Sequence, residues 1–441
     1  MPAKRDPRAL CAYLADRVFD GRRVIPHQAV LVENRRVVCV LPARELTAGT
    51  PIAAYPGCTI LPGLVDSHTH FMRWQGPLYL AHGVTTVRDT GNPLNWILAR
   101  RSEWEKRQWP RIFCTGPLID GPNPVHPVTS RPCTNISDAI RAVREVTAAG
   151  RDGIKLYVGL ETGWIPAMVR EANAAGLPVS QHCLQTGMLL PARAGVQEFF
   201  HLDGILHDIW PDHPPGWLDA WGLPEFAQTL DRQKYLADEI AEREIVMTPT
   251  LAYWDSQWRS RLRGYKRHPA LRDVPPEIIN WQVPAEPDRE GSTRWKRALK
   301  AAQRFVTLLR EREVTVLAGT DTPCGAVPPG LSLWREMRLL EEAGMNTREA
   351  LAAATSATGK IPGFRRVGTL CREAAADLVV VRGNPLDAIP DPPDIALVVR
   401  NGEEFDPAAL KSQAETVDLS DEPWARQFQA HAEHTPATPW E

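Results

Sequence analysis

From residue 60 to about residue 360 the chain alternates short, apolar, strand-like runs with longer stretches of helical period, and this alternation limits the fold more than any other feature. The runs are ILPGLVDSH (60–68), VTTVRD (84–89), RIFCTG (111–116), GIKLYV (153–158), LPVSQH (177–182), VQEFFH (196–201), IVMTPTL (245–251) and VTVLAGTD (314–321). Between them lie amphipathic segments such as ISDAIRAVREVTAAG, where Ile136, Ile140, Val143 and Val146 recur at helical intervals and Gly150 suits a C-terminal cap. Strands alternating with helices favour a parallel α/β sheet, and eight of them match the count of a (β/α)8 TIM barrel, expected here over residues 60–365.

Both chain ends read differently. AVLVENRRVVCVL (29–41) is a hairpin pattern around Glu33-Asn34-Arg35, and ADLVVVRGNPL and IALVVRNGEEF return to strand character after the last helical segment. These predict a small discontinuous β-sandwich domain built from residues 1–59 and 366–405, with the barrel inserted between them. Residues 406–441 are charged and carry Pro423 and Pro436; they are expected to form a short helix and a loose end.

The 51 basic and 53 acidic residues are interspersed and leave a formal charge of −2, so no electrostatic footprint for nucleic acid or an anionic membrane is visible. The expected partner is a small-molecule substrate. The eight cysteines lack a CxxC pair or regular spacing, which argues against a disulfide framework or a zinc ribbon. The N-terminal segment has no continuous apolar core of the signal-peptide kind, and no apolar stretch approaches the roughly 20 residues of a membrane helix, so a cytoplasmic protein is expected.

The most informative cluster is PGLVDSHTHF. His68 and His70 stand two apart at the end of a strand and therefore share a face, and at the C-terminal end of a barrel strand that face is where active sites are built. Imidazole suits borderline metals such as zinc. Further ligand-type residues recur in or at the ends of later strands: Lys155, His182, His201 and Asp321. Tyr157 shares a face with Lys155 by strand alternation and is a candidate to polarise a substrate carbonyl.

Taken in order, PGLVDSHTH, HGVTTVRD, IKLY, VSQH, GVQEFFH, LAGTD and ADLVVVRGNPL resemble successive blocks of the amidohydrolase superfamily, especially its imidazolonepropionase and prolidase-like members, up to about residue 405. The resemblance implies a binuclear hydrolase in which His68, His70 and Asp321 bind one divalent ion, His182 and His201 the other, and Lys155 bridges both as a carbamate formed with CO2. An ammonium aimed at two dications would be repelled, so this lysine has to be neutral or anionic. Two zinc or similar ions can share a water and lower its pKa toward neutrality, with Asp321 taking the proton and passing it to the leaving nitrogen. The implied reaction is hydrolysis of an amide-type C–N bond in a prolidase-like dipeptide, an N-acyl amino acid or a carbamate, by a homo-oligomer.

Other readings stay open. Single-metal deaminases of the superfamily usually carry His-x-x-Glu where this chain has His182-Cys183-Leu184-Gln185, and an amide cannot do that acid chemistry. A mononuclear deaminase, a lactone or ester hydrolase, and a scaffold that kept the barrel but lost catalysis are the alternatives. The usual Glu-His pair is replaced by Phe200-His201, which removes the expected support of His201 and makes His207 a rival ligand. His126 falls where relatives place a substrate-side histidine, and Arg88 with Asp89 reads as an ion pair beneath the site. Trp254, with Trp74, Trp210, Trp217, Trp221 and Trp258, follows strands on the substrate side, where aromatic side chains either form an apolar pocket or staple the 202–300 excursion to the barrel. Arg259, Arg261 and Arg263 are candidates to hold a substrate carboxylate or to form a solvated helix face.

Overall fold

Strands from the two ends of the chain meet in one sheet. The computed structural model describes residues 6–184, 186–212, 217–412 and 418–434. The first strands are β1 (Cys11–Phe19), β2 (Val24–Pro26), β3 (Gln28–Glu33), β4 (Arg36–Pro42) and β5 (Ile52–Pro62). A parallel set follows, with helices between most members: β6 (Leu64–Thr69), β7 (Val84–Asp89), β8 (Arg111–Cys114), β9 (Leu118–Asp120), β10 (Ser130–Pro132), β11 (Ile154–Leu156), β12 (Val179–His182), β13 (Glu198–Phe200) and β14 (Val246–Thr248). The last three are β15 (Leu378–Arg382), β16 (Ile395–Arg400) and β17 (Glu403–Phe405).

The end strands are ordered β17-β16-β15-β5-β1-β3-β4, with β2 beside β1. The hairpin read from sequence is β3–β4, and its two loop residues Asn34 and Arg35 both take left-handed φ values of 51° and 64°, as a tight turn matching strand twist requires. Strand β15 shows why its run is apolar throughout: Leu378 and Val380 join the core of this sheet, while Val379 and Val381 point the other way into the main core. Strand β5 passes through Gly63 directly into β6, so the two parts of the molecule share a continuous backbone at the point where the site begins.

The parallel strands hydrogen-bond as a three-stranded sheet, β6-β7-β8, and a six-stranded one, β10-β9-β11-β12-β13-β14. The expected eighth run, VTVLAGTD, does not form a full ladder. It bridges β14 at Met247–Val316 and β6 at Thr69–Thr322, and its backbone bonds to both neighbours, with Leu317 N–H donating to Met247 and Ser67 N–H to Ala318. The third run also differs from expectation, since it breaks after Cys114 at Gly116-Pro117 and resumes as β9. The helix expected after it spans Ile136–Ala148, capped by the Asn135 side chain, and buries Ala139, Ala142, Val143 and Val146; Ile136, in its exposed first turn, does not share that buried face.

All eight cysteines are unpaired, and among the described residues no helix is long and apolar enough to cross a membrane. The excursion after β13 is tied down by tryptophans. Trp254, from the helix Leu251–Ser260, sits 5.1 Å from Trp221 and 6.0 Å from Trp295, and all three are almost fully buried in the main core. Edge-to-face packing of this kind adds to the area that each ring removes from water. Trp254→Ala is expected to cost about 3–5 kcal/mol of stability, read from a lower denaturant midpoint with an unchanged slope.

His82 caps the helix Gln75–Ala81; its Nδ1–H donates to the Leu78 carbonyl at 2.9 Å, and its own carbonyl accepts the Trp334 indole N–H. Burial, with some help from the Lys411 charge, pulls its pKa down to about 4. The unfolded chain takes up this proton below about pH 6.5, whereas the folded chain does not until about pH 4. This contribution is therefore complete above pH 6.5 and is lost as the pH falls toward 4. Urea unfolding at about pH 7.5 and about pH 5 should show a smaller acid-side loss in His82→Gln than in the parent chain.

Candidate metal centre

The register between β6 and the segment 314–322 brings the first three candidate ligands together. Asp66 is fully buried and acts as a clamp: its carboxylate accepts from the backbone N–H groups of His68 and Thr320 and, at 2.7 Å, from the Thr320 hydroxyl. The carbonyl of His68 accepts from both Thr320 and Asp321 N–H. Gly319 is required here, because a Cβ would stand 2.6 Å from Thr248 Cγ2 and 2.8 Å from His68 Cβ. The result is that Nε2 of His68 and Nε2 of His70 each lie 3.1 Å from the same oxygen, Oδ1 of Asp321. These residues have ligand atoms within 4.8 Å of one another and are all buried.

The remaining candidates continue from this trio. The rings of His68 and His201 are 4.7 Å apart, His201 and His182 4.1 Å, and His182 and Tyr157 5.2 Å. Lys155 directs its amine into the same interior, 3.9 Å above the ring of Phe200, which itself stands edge-on to His68 at 4.3 Å. All six ligand-type residues thus fall in one buried cluster, and each is no more than 7% exposed. Three strand ends around it hold residues in the left-handed region, His201, Thr250 and Asp321, with φ of 62°, 51° and 62°. Non-glycine residues take such angles at a cost of order 1–3 kcal/mol each, and they concentrate where geometry serves a site.

The donor set fits a divalent cation. Both nitrogens of His68, Nδ1 of His70, Oδ1 of Asp321 and Nζ of Lys155 are buried without a hydrogen-bond partner. Buried polar atoms left in this state are costly unless something else satisfies them. Burial first, and then the charges of Lys155 and His70, hold His68 well below the usual imidazole range. His70 is also lowered by burial, against the pull of Asp321. Burial pushes the Asp321 carboxyl up, but His201, His70 and Lys155 outweigh it and hold it below the ordinary range. Neutral imidazoles facing an ionised carboxylate are the protonation states that ligation needs.

Sequence reasoning missed several of the supporting residues. Asp203, two positions after His201, places Oδ2 2.9 Å from His182 Nε2 and is itself buried. His201, preceded by Phe200 rather than a carboxylate, has Nδ1 2.7 Å from the hydroxyl of Thr250, the N-cap residue of the helix just past β14, which supplies the support. Arg88 does not pair with Asp89. Successive residues of β7 face opposite ways, so Arg88 reaches Glu198 with a two-pronged ion pair at 2.7 and 2.5 Å, while Asp89 accepts from Phe71 N–H and the Asn92 amide.

His126 lies in the loop after β9, buried, with its ring 5.7 Å from Tyr157. His207 is on the helix Ile205–Ile209, half-buried. Trp254 is not brought to the ligands; it packs in the aromatic core of the excursion described above. The arginine run is engaged elsewhere, with Arg259 paired to Asp255 at 2.6 Å and Arg261 donating to the Gln257 carbonyl. Gln185 lies outside the described residues. The largest surprise is the C-terminal helix Pro423–His434, whose Trp424 lays its indole 3.9 Å from the His70 ring. Pro423, one of the two prolines noted in the tail, occupies the first helical position, where its missing N–H costs nothing.

Residues 297–407 match the Amidohydrolase family model. No curated protein matches the chain by sequence. Among solved structures, a bottromycin amidohydrolase is 25% identical with a TM-score of 0.71, over 98% of this chain and 92% of that one. An Xaa-Pro dipeptidase with methionine bound in its active site is 18% identical with a TM-score of 0.69, over 90% of this chain and all of the other. The Aspergillus niger ochratoxinase is 16% identical with a TM-score of 0.67, over 93% and 99%. The α/β fold is that of amidohydrolase structures, and the His68-His70-Asp321 cluster stands at the strand ends where such folds build their sites. The family match over residues 297–407, the overall likeness and this cluster agree in making the chain similar to amidohydrolases.

Proposed function

We propose that this chain is a binuclear metal-dependent amidohydrolase that cleaves an amide-type C–N bond. The observation that carries the reading is the convergence of buried, unsatisfied ligand atoms from His68, His70, Asp321 and Lys155 on one interior. We read the two parallel sheets and segment 314–322 as the wall of one (β/α)8 barrel, with the cluster at its C-terminal mouth. His68, His70 and Asp321 would hold one divalent ion, zinc being suited to such ligands, and His182 and His201 the second, with Lys155 between them.

When bound, the ions supply Lewis acidity, which lowers the pKa of water and polarises a carbonyl. The chain's own residues do the rest. Asp321, ionised and within reach of both first-strand histidines, accepts the proton of the attacking water at a carboxylate oxygen and delivers it to the leaving nitrogen as the tetrahedral adduct collapses. Asp203 and Thr250 fix the ring orientations of His182 and His201. The Tyr157 hydroxyl would donate to the substrate carbonyl. Burial favours the neutral amine of Lys155, pulling its pKa down to about 7, and a neutral amine is the form that adds to CO2 to give a carbamate.

Metal analysis after reconstitution should give two equivalents for the parent chain in the presence of bicarbonate and fewer for Lys155→Ala. Asp321→Asn should slow amide turnover by at least about 10²–10⁴-fold, the usual contribution of a positioned acid–base group. A chain that retains no divalent ion, or an Asp321→Asn variant with full turnover, overturns the proposal.

A further inference from the structure

A separate apolar core lies over the mouth of the site, and the C-terminal helix supplies a large part of it. Trp424, Ala425 and Phe428 pack with Met72, Leu118 and Tyr157, and with Ile278 and Ile279 from the helix Pro276–Gln282. Trp424 also donates its indole N–H to the Gly91 carbonyl at 2.6 Å, and Phe428 stands 5.6 Å behind it. The helix is fastened at both ends to loops that follow the parallel strands. Glu422, fully buried, accepts from Arg73 at 2.6 Å. The side-chain Oε1 of Gln427 accepts from Val128 N–H at 2.9 Å, and His431 Nε2 lies 3.0 Å from the Val125 carbonyl.

Two consequences follow from this arrangement. With all six ligand-type residues at most 7% exposed, a substrate reaches them only if some covering element moves. The packed side of the cover is apolar, with the imidazoles of His126 and His431 beside it. Among the described residues the buried cationic side chains are Arg88, Arg151, Lys155, Arg261 and Arg400. Arg88 is paired with Glu198, Arg261 bonds Gln257, Arg400 serves carbonyls and Glu403 in the end sheet, and Arg151 precedes the start of β11, away from the mouth. Arg73 is engaged by Glu422. Among the described residues none of these guanidiniums stands beside the ligands to receive a free carboxylate, whereas the indole of Trp424 and the phenol ring of Tyr157 do stand there.

We infer that the C-terminal helix is part of the substrate pocket: Trp424 and Phe428 form an apolar roof over His70 that selects an uncharged aromatic or aliphatic group beside the scissile amide, and the helix opens by parting Arg73 from Glu422. The inference rests on the metal-dependent amidohydrolase reading. It gives the pocket a preference for neutral amides over dipeptides with a free carboxylate, and it makes Trp424 a specificity-determining residue supplied from outside the barrel.

The test uses the full-length chain loaded with zinc or cobalt. A chelator should strip the metal at least about tenfold faster from Trp424→Ala and from Glu422→Gln than from the parent, the scale expected when a buried charged hydrogen bond or a seated ring is lost. Glu422→Gln keeps the side-chain shape and guards against simple loss of fold. In parallel, a neutral aromatic amide and its free-carboxylate analogue are compared by kcat/KM. The parent should favour the neutral compound by about a hundredfold, within the range hydrophobic pockets reach, and Trp424→Ala should narrow that ratio mainly through KM. If the chain binds metal but all three proteins release it at one rate and show one substrate ratio, the roof is overturned and the metal centre stands. If no variant or parent chain binds metal, both fall.

Discussion

The whole site depends on the contact between β6 and the segment 314–322. Neither has its ligands in useful positions alone, and the buried carboxylate of Asp66 fixes one against the other by accepting from Thr320 twice and from His68 once. A shift of one residue would turn the ligand side chains of β6 to the opposite face, so this clamp is what turns two strand ends into one cluster. Because β5 runs through Gly63 into β6, the end sheet also bears on the register: β15 pairs with β5 across Cys58–Pro62, immediately before the strand that carries the histidines. The small sheet is thereby a brace for the metal site as well as a separate hydrophobic unit.

Charge is handled in layers around that clamp. The ligand cluster is deeply buried and mostly kept neutral, with Asp321 as its ionised member. Beneath it, Arg88 and Glu198 neutralise each other, and Thr248 adds a third hydrogen bond to the glutamate. Phe200 separates the layers, with the Arg88 guanidinium 4.9 Å and the Lys155 amine 3.9 Å from its ring centre. Phe200, the residue before His201, thus separates the Lys155 amine from the Arg88–Glu198 pair.

Much of the frame was legible because strand and helix periods are local. Seven of the eight apolar runs found their strands, the β3–β4 hairpin declared itself at Asn34-Arg35, and His68 and His70 shared a face because β-structure repeats every two residues. What failed was information carried between distant segments. Nothing near Arg88 reveals that its partner is Glu198, 110 positions away, and Thr250 supports His201 only because β13 and β14 are neighbours in space. Trp254 and Trp424 show the same limit in opposite directions. Of the two roles open to the first, an apolar pocket or a staple for the excursion, its packing in the main core is that of the staple; the second sits in a proline-containing tail and lies against His70.

The left-handed backbone at His201, Thr250 and Asp321 sets two selective pressures against each other. At each of these positions glycine would relieve the backbone, so a chain drifting toward greater stability has an easy route open to it. Glycine carries no imidazole, hydroxyl or carboxylate, and each such step would take a candidate ligand or its support away. These three positions are therefore places where a more durable protein and a working centre are different sequences, and a purely stability-guided redesign would dismantle the site at its own strand ends.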